Sequence, residues 1–368
     1  MKILHVAWLG TIGGLEKYVS QLSAAQRNLG HEVEVCILHK TGPVYDEIVN
    51  AGIPTHFIGM QSGSDFIGAL RLRNVLLKND YDIIHVHDRN ILSNLILLLY
   101  FKGDRVFTEH GGALIGPNPL KHVIFYLVFS KYFKAIIANS GYIKNIIINK
   151  HLAKEQKVQV VYNGIDLNKY HVDIDRVQKS KELGFPLDRK IIGIVGRIVP
   201  AKGIDIFIEA AQLITSKSDY CLFVVVGDGI EKSKYENIVK TKYQGLKLLF
   251  LGWRTDIEEI MKTFDLFLFT SKWEPFGIVL LEAMASGVPI VGFDIPGANE
   301  VVEKNVSAIL VKPYDISKLV DAVLEVNSNS MLYNTLSNNG RSRAKNNFSI
   351  ETNVNKVLQI YRFIHKQL

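Results

Sequence analysis

The stretch 266-LFLFTSKWEPFGIVLLEAMASGVPIVGF-293 holds one full alternation of strand, loop, helix and strand. Leu266–Phe269 and Pro289–Phe293 are short apolar runs of strand type. Between them lies a loop closed by Pro275 and Gly277, then an apolar helix from about Ile278 to Gly287, whose glycine suits the residue that ends a helix. The same rhythm extends outward in both directions. Strands are expected at Ile3–Leu9, Glu32–Leu38, Thr55–Ile58, Ile83–His87, Arg105–Thr108, Ala135–Asn139 and Val158–Tyr162, then at Ile191–Val195, Cys221–Val226, Lys247–Leu251 and Ala308–Val311. Helical patterns such as Leu15–Leu29 and Asp65–Leu77 fill the gaps. Most strands are apolar on both faces, as parallel strands covered by helices should be. The expectation is α/β architecture with two doubly wound domains facing a central cleft. Their bounds are 1–165 and 166–349, separated where the polar run Asp166–Arg189 begins, and a final helix at 350–368 is expected to pack back on the first domain.

Length is compatible, since 368 residues at roughly 150 per domain make two or three. A hydrophobic share of 48% with 21% charged residues excludes the disordered classes. Cys36 and Cys221 sit far apart in apolar runs, which excludes a disulfide framework and a zinc-type spacing, and a reducing cytoplasmic setting fits. The net charge of +7 is concentrated: Arg89, Lys102, Arg105, Lys121, Lys131, Lys134, Lys144, Lys150, Lys154 and Lys157 face only Asp104, Glu109 and Glu155. Such a patch favours anionic partners. No apolar run reaches the length of a membrane span, and MKILHVAWLG reads as a first strand rather than a signal peptide.

Chemistry concentrates where strands end. Gly13-Gly14 lies between the first strand and its helix, where backbone amides can approach a phosphate or simply make a tight turn. The spacing is not GxGxxG and no acid ends the second strand, so a dinucleotide site is disfavoured. In Gly196-Arg197-Ile198-Val199-Pro200-Ala201-Lys202-Gly203, two cations stand beside a helix start that would ordinarily disfavour them. A bound polyanion between them resolves the conflict, with Arg as a planar fork and Lys as a mobile point charge. Glu282 lies inside an apolar helix, where a carboxylate needs a hydrogen-bonding partner such as a ribose diol. His85 and His87 share a strand face beside Asp88 and look like a metal pair, but no third ligand is evident.

Glu274 and Glu282 have seven residues between them, the EX7E spacing of retaining glycosyltransferases. With Gly13-Gly14-Leu15-Glu16, Thr108-Glu109-His110-Gly111, Asn163-Gly164-Ile165-Asp166 and Arg197…Lys202-Gly203, the chain resembles glycosyltransferase family 4 from end to end. One departure is Gly297-Ala298-Asn299-Glu300, where the family often shows a second glycine and a proline. The resemblance implies the GT-B fold, two Rossmann-like domains with the acceptor held by the first and the nucleotide sugar by the second. It implies a retaining, metal-independent hexosyltransferase with no cofactor. Its donor would be a nucleotide-diphosphate sugar, UDP first, and its acceptor a glycan or lipid-linked hydroxyl in polysaccharide or glycolipid synthesis. His110, Arg197, Lys202 and Glu274 would form the catalytic set. Gly13 and Gly14 would approach the diphosphate, Arg197 and Lys202 neutralise it, and Glu274 with the amides of Phe276, Gly277 and Ile278 hold the sugar. Glu282 would take the ribose, and His87 or Asp88 would touch the acceptor.

The apolar stretch 121–134, with Lys121, Lys131 and Lys134 at its ends, suits a helix lying on an anionic bilayer on the inner face of the cell membrane, or a core helix. Ile91–Phe101 reads as core. Two rivals remain at this stage: a nucleotide-sugar epimerase or hydrolase on a similar fold, and a non-catalytic partner subunit. No RRM, KH or helix-turn-helix signature supports nucleic-acid binding.

Overall fold

The computed structural model describes residues 1–365 except 12, 112, 113, 115–118 and 172, so the last residues of the expected segment 350–368 and the side chain of Lys121 lie outside the described residues. The chain forms two compact units, Met1–Ile165 with Ile350–Leu368, and Asp166–Ser349.

The N-terminal unit is built on seven parallel strands: β1 (Lys2–Leu9), β2 (Glu32–Lys40), β3 (Thr55–Phe57), β4 (Ile83–Val86), β5 (Asp104–Glu109), β6 (Ala135–Ala138) and β7 (Val158–Val160). Their order is β3-β2-β1-β4-β5-β6-β7. The second unit holds β8 (Lys190–Val195), β9 (Cys221–Val226), β10 (Leu248–Gly252), β11 (Leu266–Phe269), β12 (Ile290–Phe293) and β13 (Ile309–Val311), ordered β10-β9-β8-β11-β12-β13 and again parallel. Each strand lies within two residues of its expected bounds. All of β9 and β11 is buried, which is why these strands show continuous apolar runs instead of alternation. In both sheets the winding reverses beside the first strand, between β1 and β4 and between β8 and β11. In such folds ligands bind outside the carboxyl ends at that reversal.

Alternate residues of the N-terminal strands feed buried clusters on the two faces of the sheet. Leu4, Val6, Ile84, Val86 and Phe107 pack on one face with Phe125, Tyr126, Phe129 and Phe133. Ile3, Ile83, Val106 and Ile137 pack on the other with Tyr18, Leu22, Val357 and Tyr361. The latter core takes in the C-terminal helix Ile350–His365, where Tyr18 donates to Asn353 Oδ1 at 3.2 Å and Asn353 donates to the Tyr162 carbonyl at 2.6 Å.

The reading of 121–134 as one helix needs correction. A helix covers Pro119–Phe129 and a separate 3-10 turn covers Ser130–Tyr132. The inward side chains Phe125, Tyr126, Phe129 and Phe133 are core, while Leu120, Ile124, Leu127 and Val128 are exposed. Helix Ile91–Tyr100 divides the same way, with Ile96 and Leu97 buried and Ile91, Leu95 and Leu99 exposed. Several cations of the basic stretch are also tied down. Arg89 pairs with Glu109, Arg105 donates to the Phe101 carbonyl, and Lys157 donates to the carbonyls of Lys131 and Phe133. Among the described residues no helix is long and apolar enough to cross a membrane.

Candidate functional site

The carboxyl ends of β11 and β8 organise the second unit's site. Thr270 follows β11, and its hydroxyl donates to the carbonyls of Gly203 (2.9 Å) and Lys202 (3.2 Å), pinning the Lys202 turn to the strand end. Gly203 has φ of 65°, and a Cβ there would stand 2.1 Å from the Thr270 carbonyl oxygen, so the turn requires glycine. Held this way, Lys202 Nζ lies 2.5 Å from Glu274 Oε2, and Ser271 adds a longer 3.5 Å contact to the same oxygen. The loop carrying Glu274 is backed by Gly297, where a Cβ would come within 2.3 Å of the Glu274 carbonyl. Arg197 is exposed and has no ion-pair partner among the described residues. The helix Ile204–Lys217 starts at Gly203, so Lys202, just before it, stands where the helix dipole disfavours positive charge.

Phe276, Gly277 and Ile278 form the entrance to helix Ile278–Ser286, whose N-cap Gly277 sits at φ 95° and supplies no side-chain cap. Glu282, 7% exposed, lies within that helix. Tyr170 Oη donates to its Oε1 at 3.1 Å, so the protein itself provides one of the partners a buried carboxylate needs. Burial, then the Glu282 carboxylate, push the Tyr170 phenol up and keep it a donor.

In the N-terminal unit, Gly13 is the extended N-cap and Gly14 the first residue of helix Gly14–Asn28, just past β1. His110 follows β5 in a turn fixed by Glu109. That carboxylate is fully buried, and it accepts from Arg89 Nη1 at 2.9 Å on both oxygens, from Tyr126 Oη at 2.9 Å and from the Gly111 amide at 2.7 Å. The expectation that His87 touches an acceptor fails on geometry. It is 4% exposed, and its nitrogens are spent on His5 (3.0 Å) and His110 (3.2 Å). Asp88 differs. Its Oδ1 accepts from the Asn90 amide and the Ser93 hydroxyl, but its buried Oδ2 has no hydrogen-bond partner among the described residues. Burial pushes its carboxyl up to about 7.

The missing third histidine also exists. His5 on β1 pairs in register with His85 on β4, and the ligand atoms of His5, His85 and His87 lie within 4.8 Å of one another. Each of their ring nitrogens already has a partner in the chain: Gln26 and His87 for His5, Thr108 and Tyr361 for His85, His5 and His110 for His87. That satisfaction accounts for the cluster without an ion. Sequence reasoning passed over His5, Gln26, Tyr361 and Tyr170. A histidine inside each of two neighbouring apolar strands was the one available signal.

The family model for "Glycosyltransferase Family 4" matches residues 12–169, and that for "Glycosyl transferases group 1" matches residues 175–343. An Escherichia coli enzyme, UDP-Gal:alpha-D-GlcNAc-diphosphoundecaprenol alpha-1,3-galactosyltransferase, is 29% identical over 98% of this chain and 96% of its own length. The N-acetyl-alpha-D-glucosaminyl L-malate synthase of Bacillus anthracis is 26% identical over 95% of this chain and 94% of its own. Among solved structures, Anabaena HepE in complex with UDP and glucose superposes with a TM-score of 0.86 at 23% identity, covering 98% of this chain and 99% of that one, a likeness of fold. Matched along both halves, and with its two parallel Rossmann-like sheets, the chain belongs to glycosyltransferase family 4 and has the GT-B fold.

Proposed function

We propose that this glycosyltransferase moves a hexose from a uridine-diphosphate sugar to a hydroxyl of a lipid-linked glycan, with retention and without a metal, in cell-surface polysaccharide or glycolipid synthesis. One observation carries the reading: the Lys202–Glu274 contact of 2.5 Å, at the sheet reversal beside Arg197. In the ligand-free protein each charge neutralises the other. A diphosphate recruits Lys202 to join Arg197, and Glu274 is then released to accept hydrogen bonds from the sugar hydroxyls, with the Phe276, Gly277 and Ile278 amides beside it. Preorganised cations at the leaving group are worth several kcal/mol in such reactions. Glu282, oriented by Tyr170, takes the ribose hydroxyls. With Glu274 spent on hydrogen bonds from the sugar hydroxyls, no carboxylate is assigned to attack the sugar, and the reading takes same-face substitution in which the leaving phosphate helps deprotonate the acceptor.

In the N-terminal unit, Gly13 and Gly14 present a helix start to the phosphates, His110 accepts from a hydroxyl of the transferred sugar, and Asp88 Oδ2 accepts from the acceptor. The donor and acceptor classes are supported by the Escherichia coli relative, a UDP-Gal:alpha-D-GlcNAc-diphosphoundecaprenol galactosyltransferase. Action at an anionic membrane surface is supported by the exposed apolar residues of helices Phe66–Lys78, Ile91–Tyr100 and Pro119–Phe129. Every charged residue on those helices is basic: Arg71, Arg73, Lys78 and Lys121. Flotation with anionic vesicles tests this part, and failure to bind them refutes it.

The donor reading is tested by thermal shift with UDP, GDP, ADP and CMP on the wild type and on Arg197→Ala/Lys202→Ala. At a hundred times its dissociation constant UDP should stabilise by about 2.7 kcal/mol, and the double variant should lose that shift. A shift with another nucleotide alone, or one that survives the double substitution, refutes it.

A further inference from the structure

A run of ring-to-ring hydrogen bonds leads from Gln26, in the interior of the N-terminal unit, to His110 at the carboxyl end of β5. Gln26 Oε1 lies 2.7 Å from His5 Nε2, His5 Nδ1 lies 3.0 Å from His87 Nε2, and His87 Nδ1 lies 3.2 Å from His110 Nε2. Gln26, His5 and His87 are buried, while His110 is partly exposed. A neutral imidazole has one donor and one acceptor nitrogen, so a chain of them has a direction. The amide oxygen of Gln26 can only accept. His5 must therefore carry its proton on Nε2 and present a bare Nδ1. His87 must then donate from Nε2, leaving its Nδ1 bare, and His110 must donate from Nε2. We propose that Gln26 is a positioning residue for His110: through His5 and His87 it holds His110 in the tautomer with the proton on Nε2 and the acceptor lone pair on Nδ1.

Neutrality is needed for this logic, and burial supplies it. Desolvation pushes His5 down to about 4 and His110 to about 3, and holds His87 far below its ordinary value. His110 Nδ1 has no hydrogen bond among the described residues. It is thus an acceptor for an incoming hydroxyl, and on the transferase reading above that hydroxyl belongs to the bound sugar. The other side of Gln26 is consistent. Its amide nitrogen is 3.5 Å from Tyr361 Oη, which is 2.5 Å from His85 Nδ1, and His85 Nε2 meets Thr108 Oγ1 at 2.5 Å. Reversing the amide would reverse every proton in the chain, so one side chain decides what His110 offers some three rings away.

The test is long-range proton–nitrogen correlation NMR near pH 7 on full-length protein labelled with 15N-histidine, with His110 assigned by loss of its signals in His110→Gln. Protonated and bare ring nitrogens resonate far apart. The wild type should show a protonated Nε2 and a bare Nδ1 on His110, and Gln26→Leu should convert this to a mixture of tautomers with a kcat loss of about tenfold and little change in donor KM. Thr108→Val removes a hydrogen bond from His85 alone and should leave the His110 signature as in wild type. A protonated Nδ1 on wild-type His110 overturns the proposal, and this needs no variant to fold. An unchanged signature in Gln26→Leu, or a shifted one with unchanged kcat, overturns it also. The expected signature in a protein that transfers no sugar would refute the functional reading and uphold the chain.

Discussion

Glu109→Gln removes the carboxylate that pairs with Arg89 while keeping the shape of the buried side chain. The carboxylate is fully buried and receives four contacts from three donors, Arg89, Tyr126 and the Gly111 amide. Breaking a buried ion pair from one side costs about 3–5 kcal/mol, because the surviving charge is left uncompensated. Arg89 retains 19% side-chain exposure and so reaches water in part, which places the expected loss near the lower end, about 3 kcal/mol. One amide oxygen can still accept from Tyr126 or Gly111 but not serve all the former donors, so the His110 turn loosens and activity falls with stability. Native-state hydrogen exchange of the β4, β5 and β6 amides reads the N-terminal unit by itself, whatever the second unit does. Arg89→Met and the double variant complete a cycle, and the double variant should be less destabilised than the sum of the singles by at least 1 kcal/mol. A loss below about 1 kcal/mol in Glu109→Gln, or additive singles, would refute the role given to this pair.

The buried histidines make the N-terminal unit sensitive to acid. His5, His85 and His87 have folded-state pKa values held below the ordinary 6.5, chiefly by desolvation. Below pH 6.5 the unfolded chain binds protons that the folded one refuses, so their stabilising contribution is complete above 6.5 and lost as pH falls toward 4. The slope is up to roughly 1.4 kcal/mol per pH unit for each. Urea midpoints of the N-terminal unit that stay level from pH 7 to 4.5 would contradict this. Asp88 acts oppositely. With its folded pKa pushed up to about 7, its contribution is complete below the unfolded value of 3.8 and lost as pH rises through 7. Asp88→Asn should accordingly stabilise the unit at pH 8 by a few kcal/mol, with a smaller gain at pH 5, and should slow transfer. Equal gains at both pH values would be inconsistent with a buried ionisable carboxyl.

The central strands were legible because parallel strands buried on both faces leave short continuous apolar runs, as in Cys221–Val226 and Leu266–Phe269. The site motifs were legible for a related reason. Glycines such as Gly203, whose φ and close approach to Thr270 admit no other residue, and charges placed against a helix dipole are local conflicts that show without a fold. Partnership was not legible. Glu274 and Lys202 are 72 residues apart, and only adjacency of β8 and β11 brings them to 2.5 Å. His87 looked available to an acceptor until β1 set His5 against it and buried both nitrogens. The segment 121–134 looked uniformly apolar, and packing against Phe107 divided it into a core face and an outer one. Composition and periodicity act along the chain and reach a few residues. Hydrogen-bond pairing, burial and proton affinity depend on which strands become neighbours, and that is set by the packing of the whole sheet.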